Sequence, residues 1–313
     1  MTIAPLQRSS GDPIADRRAD YAEMLFAEGD AAAAAELFMG ALELAPGWAL
    51  GWFRLGEFYE AADLLHLAEE AYRTCLSLDP ADRPGAELKL AVIGAIATPT
   101  APPSGFVEAL FDHYASTFDA SLVGKLGYRV PDLLESAILA APHSPSAVRF
   151  ELALDLGCGT GLMGERLRPL AAKLVGFDIS TGMLKKAMAK QIYDGLERAD
   201  LQQLGESSVR PDLAVAADVF MYIGALDGVF GAIAAMLKPG GLFAFSVEAH
   251  DGQGFALRDS RRFAHSQTYV CDQLSVHGFE LISLERETIR MDRNAPIEGL
   301  IVVASRRQQK ALS

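Results

Sequence analysis

The chain has 313 residues, half of them hydrophobic and 22% charged, a composition that builds packed domains and excludes a disordered chain. A net charge of −13 lacks the basic footprint that non-specific nucleic-acid binding or docking on anionic lipid requires. The three cysteines, Cys75, Cys158 and Cys271, are too scattered for a disulfide framework or a zinc site, so no metal is expected. There is no apolar run long enough to span a bilayer and no apolar leader in Met1 to Ser10, which with the cysteine usage points to the cytoplasm.

The acid excess is concentrated before residue 104, and that part repeats itself. Aligning Pro46 with Pro80 gives an offset of 34, at which Phe38 meets Tyr72, Ala34 meets Ala68, Leu25 meets Tyr59 and Ala41 meets Cys75. The second copy reads Trp52, Leu55-Gly56, Tyr59, Ala68, Tyr72, Pro80 and resembles the tetratricopeptide repeat. The first has Tyr21-Ala22 in place of Leu55-Gly56. Small residues let two antiparallel helices approach, large ones fill the groove between them, and proline ends the second helix. Residues 83–97 show helical spacing of Leu88, Val92 and Ala95 and are expected to cap the array. Residues 1–98 are thus read as an all-α domain of two repeats plus a cap, and the proline-rich stretch 99–105 as a linker. An uncapped repeat end would favour a homo-oligomer, and repeat grooves take peptides, so a protein partner is a second expectation.

Beyond the linker, short apolar runs alternate with helical patterns, the sign of a parallel α/β sheet over 106–313. Residues 152–156 predict a buried strand carrying Asp155. It runs into Gly157-Cys158-Gly159-Thr160-Gly161 and a helix over 162–170. Glycines there bring main-chain N–H groups close to a ligand. A second strand, 173–178, ends in Asp178, an acid placed to accept hydrogen bonds from ribose hydroxyls. Gly159, Gly161 and Gly164 formally match the dinucleotide fingerprint. However, Asp155 beside the turn would repel a pyrophosphate and would suit a sulfonium or amine.

The run Leu154 to Gly161 resembles the first motif of class I S-adenosylmethionine-dependent methyltransferases. Gly176 to Ser180, Ala199-Asp200-Leu201, Asp212 to Val219 and Leu237 to Gly241 resemble the later motifs in order. The resemblance covers about 106–305 and implies a Rossmann-like sheet. It implies S-adenosylmethionine as cofactor, leaving as S-adenosylhomocysteine. In this reading Asp155, Gly157, Cys158, Gly159 and Gly161 form the turn, with Cys158 a small filler. Asp178 holds the ribose, Ile179 and Met183 lie at the adenine with Asp200 and Leu201, and Asp218 stands at a cofactor edge or the substrate. Tyr114, in a lead-in segment with Phe118 and Tyr128, would close over the cofactor. The repeats plus this domain resemble a bacterial group of predicted methyltransferases with tetratricopeptide repeats, a group that carries no substrate with it.

Methyl transfer needs a held nucleophile, and a base only when the nucleophile carries a proton. The candidates lie where strands four and five end. Glu248 and His250 alternate onto one face as candidate bases. Arg262, His265 and Tyr269 would share one face if their stretch is helical, with His265 a third catalytic candidate and Arg262, Tyr269 and Tyr222 substrate contacts. Arg290 and Arg293 come behind them. No Asn/Asp-Pro-Pro-Tyr/Phe tetrad follows strand four, which disfavours DNA amino methylation. The expected acceptor is a small molecule. The alternatives are a protein methyltransferase whose repeats dock the target, and a non-catalytic cofactor-binding scaffold.

Overall fold

The computed structural model describes residues 8–115, 118–119, 127–141, 150–205, 210–292 and 295–308. The chain divides into two compact units, Met1–Leu110 and Phe111–Ser313. The division falls inside a helix, several residues past the proline-rich stretch read as the linker.

The first unit contains α1 (Pro13–Ala27), α2 (Ala31–Leu42), α3 (Ala49–Ala61), α4 (Leu65–Leu78) and α5 (Ala86–Val92). Asp12 and Asp30 cap α1 and α2 by accepting from free N–H groups of the first turn. Three of the four pairs found at the 34-residue offset are buried, Phe38 with Tyr72, Ala34 with Ala68 and Ala41 with Cys75, while Leu25 and Tyr59 are half-buried. The Tyr72 ring sits where a Gly56 side chain would be, 2.5 Å from an ideal Cβ. Gly56→Ala should therefore cost about 1–3 kcal/mol by overpacking. An unchanged melting temperature of the first unit in a two-transition scan would contradict this packing.

The cap is shorter than 83–97. Gly85 in the left-handed region precedes α5, and Gly94 at φ +78° follows it. Lys89 on α5 pairs with Glu60 at 2.9 Å, and Tyr72 donates to the same carboxylate at 2.7 Å.

Helix α6 (Ser104–Tyr114) enters the second unit, where α7 (Val130–Ala140) precedes the sheet. Strands β1 (Phe150–Leu156), β2 (Ala171–Asp178), β3 (Gly195–Arg198), β4 (Leu213–Ala216) and β5 (Leu242–Ala249) are parallel in the order β3-β2-β1-β4-β5. They alternate with α8 (Leu162–Leu167), α9 (Thr181–Ala189) and α10 (Asp227–Met236). The short strands β6 (Phe255–Leu257) and β7 (Phe263–His265) attach to the end of β5. Helix α11 (Gln267–Val276) follows. The hairpin β8 (Phe279–Asp292) and β9 (Ala295–Arg306) then returns so that β9 runs antiparallel between β5 and β8.

The central strands are mostly apolar because both faces are covered. Ala214, Ala216, Phe243 and Phe245 lie in one core with α10 and α11. Leu213, Val215, Leu242 and Ala244 lie in the other with α7 and α8. Among the described residues no helix is long and apolar enough to cross a membrane, and no cluster of metal-ligating side chains occurs.

Candidate functional site

The site lies at the carboxyl ends of β1, β2, β4 and β5, where ligands bind in sheets of this kind. After β1 the chain turns through Gly157, Gly159 and Gly161, all at positive φ. Gly157 has a second reason to be glycine, since a Cβ would lie 2.5 Å from Val219. The helix after the turn is only α8, with 168–170 continuing as a 3-10 turn.

Asp155 is 1% exposed. Its Oδ2 accepts from the Tyr193 hydroxyl at 2.6 Å, and its Oδ1 has no partner among the described residues. Tyr193 escapes any motif search, yet it explains two glycines. A Cβ on Gly164 would lie 2.1 Å from its hydroxyl, and one on Gly176 2.9 Å from its ring. The third glycine of the formal dinucleotide match is thus there for Tyr193.

Asp178, at the end of β2, accepts from Gly159 N and Ser180 N, both at 2.8 Å. It ties the glycine turn to the cap of α9. Burial raises Asp155 to about 7 and Asp178 to about 6, against the hydrogen bonds that favour their charged forms.

These two acids ionise near 3.8 when exposed. The folded protein therefore binds more protons than the unfolded chain between about pH 4 and pH 7. Their contribution to stability is complete below pH 4 and is lost as pH rises through 6 and 7. Asp155→Asn should flatten the fall in denaturation midpoint between about pH 5 and pH 7.5. An equal slope in both proteins would contradict the shift.

The other expected cofactor residues sit around this turn. Cys158 is buried, its thiol pushed up by burial and by Asp155 and Asp178, consistent with a filler. Met183 has no exposed surface, whereas Ile179 is half-buried and offers the apolar face at this lip. Asp200 accepts from Gln202 N at 2.9 Å, ahead of the buried Leu201.

The segment before α7 contributes through acids not singled out in the sequence. Asp119 accepts from the Thr160 hydroxyl in the turn, and Asp112 accepts from Ser180 Oγ at 2.5 Å and Gly182 N at 3.0 Å. Tyr114 is exposed, its ring against His113, and Phe111 packs on Tyr222 at 5.1 Å.

At the ends of β4 and β5 the arrangement differs from the expectation in three ways. Arg262, His265 and Tyr269 do not share a helix: 263–265 is strand β7, and α11 starts only at Gln267. Ser266 caps that helix, so the chain is extended up to it.

His265 is no exposed base. Its Nε2 lies 3.0 Å from both the Ile223 and Gly224 carbonyls, and burial lowers its pKa to about 4. Tyr269 likewise accepts from Leu226 N at 2.9 Å, so both hold the loop ahead of α10.

Glu248 is no free base either. Arg290, 2% exposed on β8, donates to Glu248 and, at 2.8 Å, to Asp218. Burial raises Glu248, and Arg290 and Arg262 oppose that shift. Arg262 neighbours Glu248, hydrogen-bonds with Tyr222 and lies 3.6 Å from Asp292. His250 accepts from Gly252 N at 3.0 Å and keeps a buried, unpartnered Nε2 among the described residues. Arg293 lies outside the described residues.

This sheet and this turn have the Rossmann-like architecture of the class I methyltransferase fold. Residues 154–243 match the model of a methyltransferase domain and residues 49–82 that of a tetratricopeptide repeat, so the chain joins the two. Over 204 residues it is 34% identical to a malonyl-acyl-carrier-protein O-methyltransferase of Methylovorus sp. strain MP688, covering 61% of this chain and 64% of that protein. It is 35% identical over 150 residues to human methyltransferase-like protein 27, covering 45% and 57%. It is 34% identical over 100 residues to a ubiquinone biosynthesis O-methyltransferase of Nitrosococcus oceani, covering 30% and 42%. The chain thus spans less than two thirds of these relatives' lengths. The crystal structure of the (4+2)-cyclase SpnF shares the fold at 18% identity and a TM-score of 0.56, covering 67% of this chain and 98% of that one.

The cofactor of the class fits this site on two observations. Asp155 holds a buried acceptor oxygen without a partner among the described residues, which suits an ammonium group. Gly159 has open space where a side chain would stand, which suits close approach to the backbone.

Proposed function

We propose that the chain transfers a methyl group from S-adenosylmethionine to a small-molecule acceptor. The observation that carries this reading is Asp155 Oδ1, a buried acceptor beside a glycine turn tied to Asp178. When bound, the cofactor supplies a methyl group on a positively charged sulfur. Asp178 would hold the ribose, Asp155 the amino end, and Ile179 and Leu201 the adenine. The ends of β4 and β5 face the acceptor, with buried side chains that exclude water. Two of the relatives named above are O-methyltransferases, which supports an oxygen acceptor.

The test is transfer of radiolabelled methyl from S-adenosylmethionine into a cell extract, separated into small-molecule and macromolecular fractions. Label among small molecules is the expected result. Label in protein would overturn it and make the repeats the specificity element. Cofactor binding without any label would leave a scaffold.

A further inference from the structure

Asp218 is the residue whose geometry the cofactor site does not explain. It sits just past β4 at φ +60°, a left-handed conformation that costs a non-glycine residue of order 1 kcal/mol or more. Its own N–H is fixed by Ser246 Oγ at 2.8 Å. Its side chain is 7% exposed, with Oδ2 held by Arg290 at 2.8 Å. Its Oδ1 is buried and has no partner among the described residues. Tyr128, half-buried, feels the charges of Asp218, Arg290 and Asp155 together, so Asp218 and the cofactor-side acid border one region.

We propose that Asp218 binds the acceptor and not the cofactor, and that the acceptor presents a hydroxyl or N–H group and not a carboxylate. This rests on the methyltransferase reading above. Arg290 is already matched by two carboxylates, Asp218 and Glu248, and Arg262 beside Glu248 is paired in turn with Asp292, so the five together carry one net negative charge. A carboxylate acceptor would add a second unbalanced negative charge in a buried place. A hydroxyl or N–H supplies the donor that Asp218 Oδ1 lacks. Transfer then forms a bond from the acceptor oxygen or nitrogen to the methyl carbon and breaks the carbon–sulfur bond, whose electron pair stays on sulfur. The acceptor's proton passes to the Asp218 carboxylate. Arg290 is a positioning residue: it acts by holding Asp218 in one orientation.

The test uses the full chain and its Asp218→Asn variant. Calorimetric titration with S-adenosylhomocysteine should give affinities within about twofold of each other. Tenfold weaker binding in the variant would return Asp218 to the cofactor and overturn the proposal. Radiolabelled methyl is then transferred into the fractionated extract, and the label is treated with mild base, which releases methanol from methyl esters but not from ethers or amines. The expected label is base-stable and at least tenfold lower with the variant. Base-labile label, or label kept by the variant, would overturn the proposal. Base-stable label found in protein and lost in the variant would uphold the role of Asp218 while the small-molecule reading fell.

Discussion

Arg290→Met should destabilise the protein by about 3–5 kcal/mol, the loss that follows when one partner of a buried ion pair is removed. The Asp218 and Glu248 side chains are 7% and 8% exposed, so water cannot take over the role of the guanidinium. Burial alone would favour loss of the Arg290 proton, but the two carboxylates outweigh it and hold its pKa above normal. The penalty lies in the charges left behind. The triple variant Arg290→Met, Asp218→Asn, Glu248→Gln should therefore recover most of the stability. Urea denaturation reads both. A loss below about 1 kcal/mol in the single variant would place the pair in contact with solvent.

Asp178→Ala should weaken S-adenosylhomocysteine binding about 10- to 100-fold, as expected when hydrogen bonds to a charged group are lost. The substitution would remove more than the proposed ribose contact. Gly159 N and Ser180 N both lose their acceptor, so the turn and the α9 cap are no longer held together. Titration should be done at about pH 8, above the raised pKa of this carboxyl, so that the parent protein is ionised. Asp178→Asn can replace only one of the two accepted bonds and should fall between. A change below threefold in the alanine variant would remove Asp178 from the ribose.

The parts of this molecule that were legible in the sequence are those written locally. The repeat shows itself because each helix pair needs the same large and small residues at the same places, hence Phe38 with Tyr72 and Ala34 with Ala68. The glycine turn shows itself because positive φ at Gly157, Gly159 and Gly161 restricts the residue type.

What was not legible depends on partners distant in the chain. Arg290 meets Asp218 and Glu248 only through the pairing of β9 with β5 and β8, and no spacing rule encodes that. Tyr193 fills space that glycines far from it leave. The shared face of Arg262, His265 and Tyr269, which required a helical stretch, does not form, for a physical reason. The polar pattern there fits helical spacing, but 263–265 gains backbone hydrogen bonds at the edge of β5, and tertiary pairing outweighs so short a local preference. His265 and Tyr269 thereby became anchors of the 223–226 loop.

The position of β9 sets an order of assembly. Chains emerge from the ribosome amino-terminus first. β8 is made before β9 yet reaches the sheet only across it, since β9 pairs with β5 on one side and β8 on the other. While residues 295–306 are still unmade, Asp155, the glycine turn and Asp178 already have every strand they need. Arg290 does not. A nascent or prematurely terminated chain thus holds the strands of its glycine turn before it can bring Arg290 to Asp218 and Glu248, and those two acids gain their partner only when the last pairing strand slots into the gap.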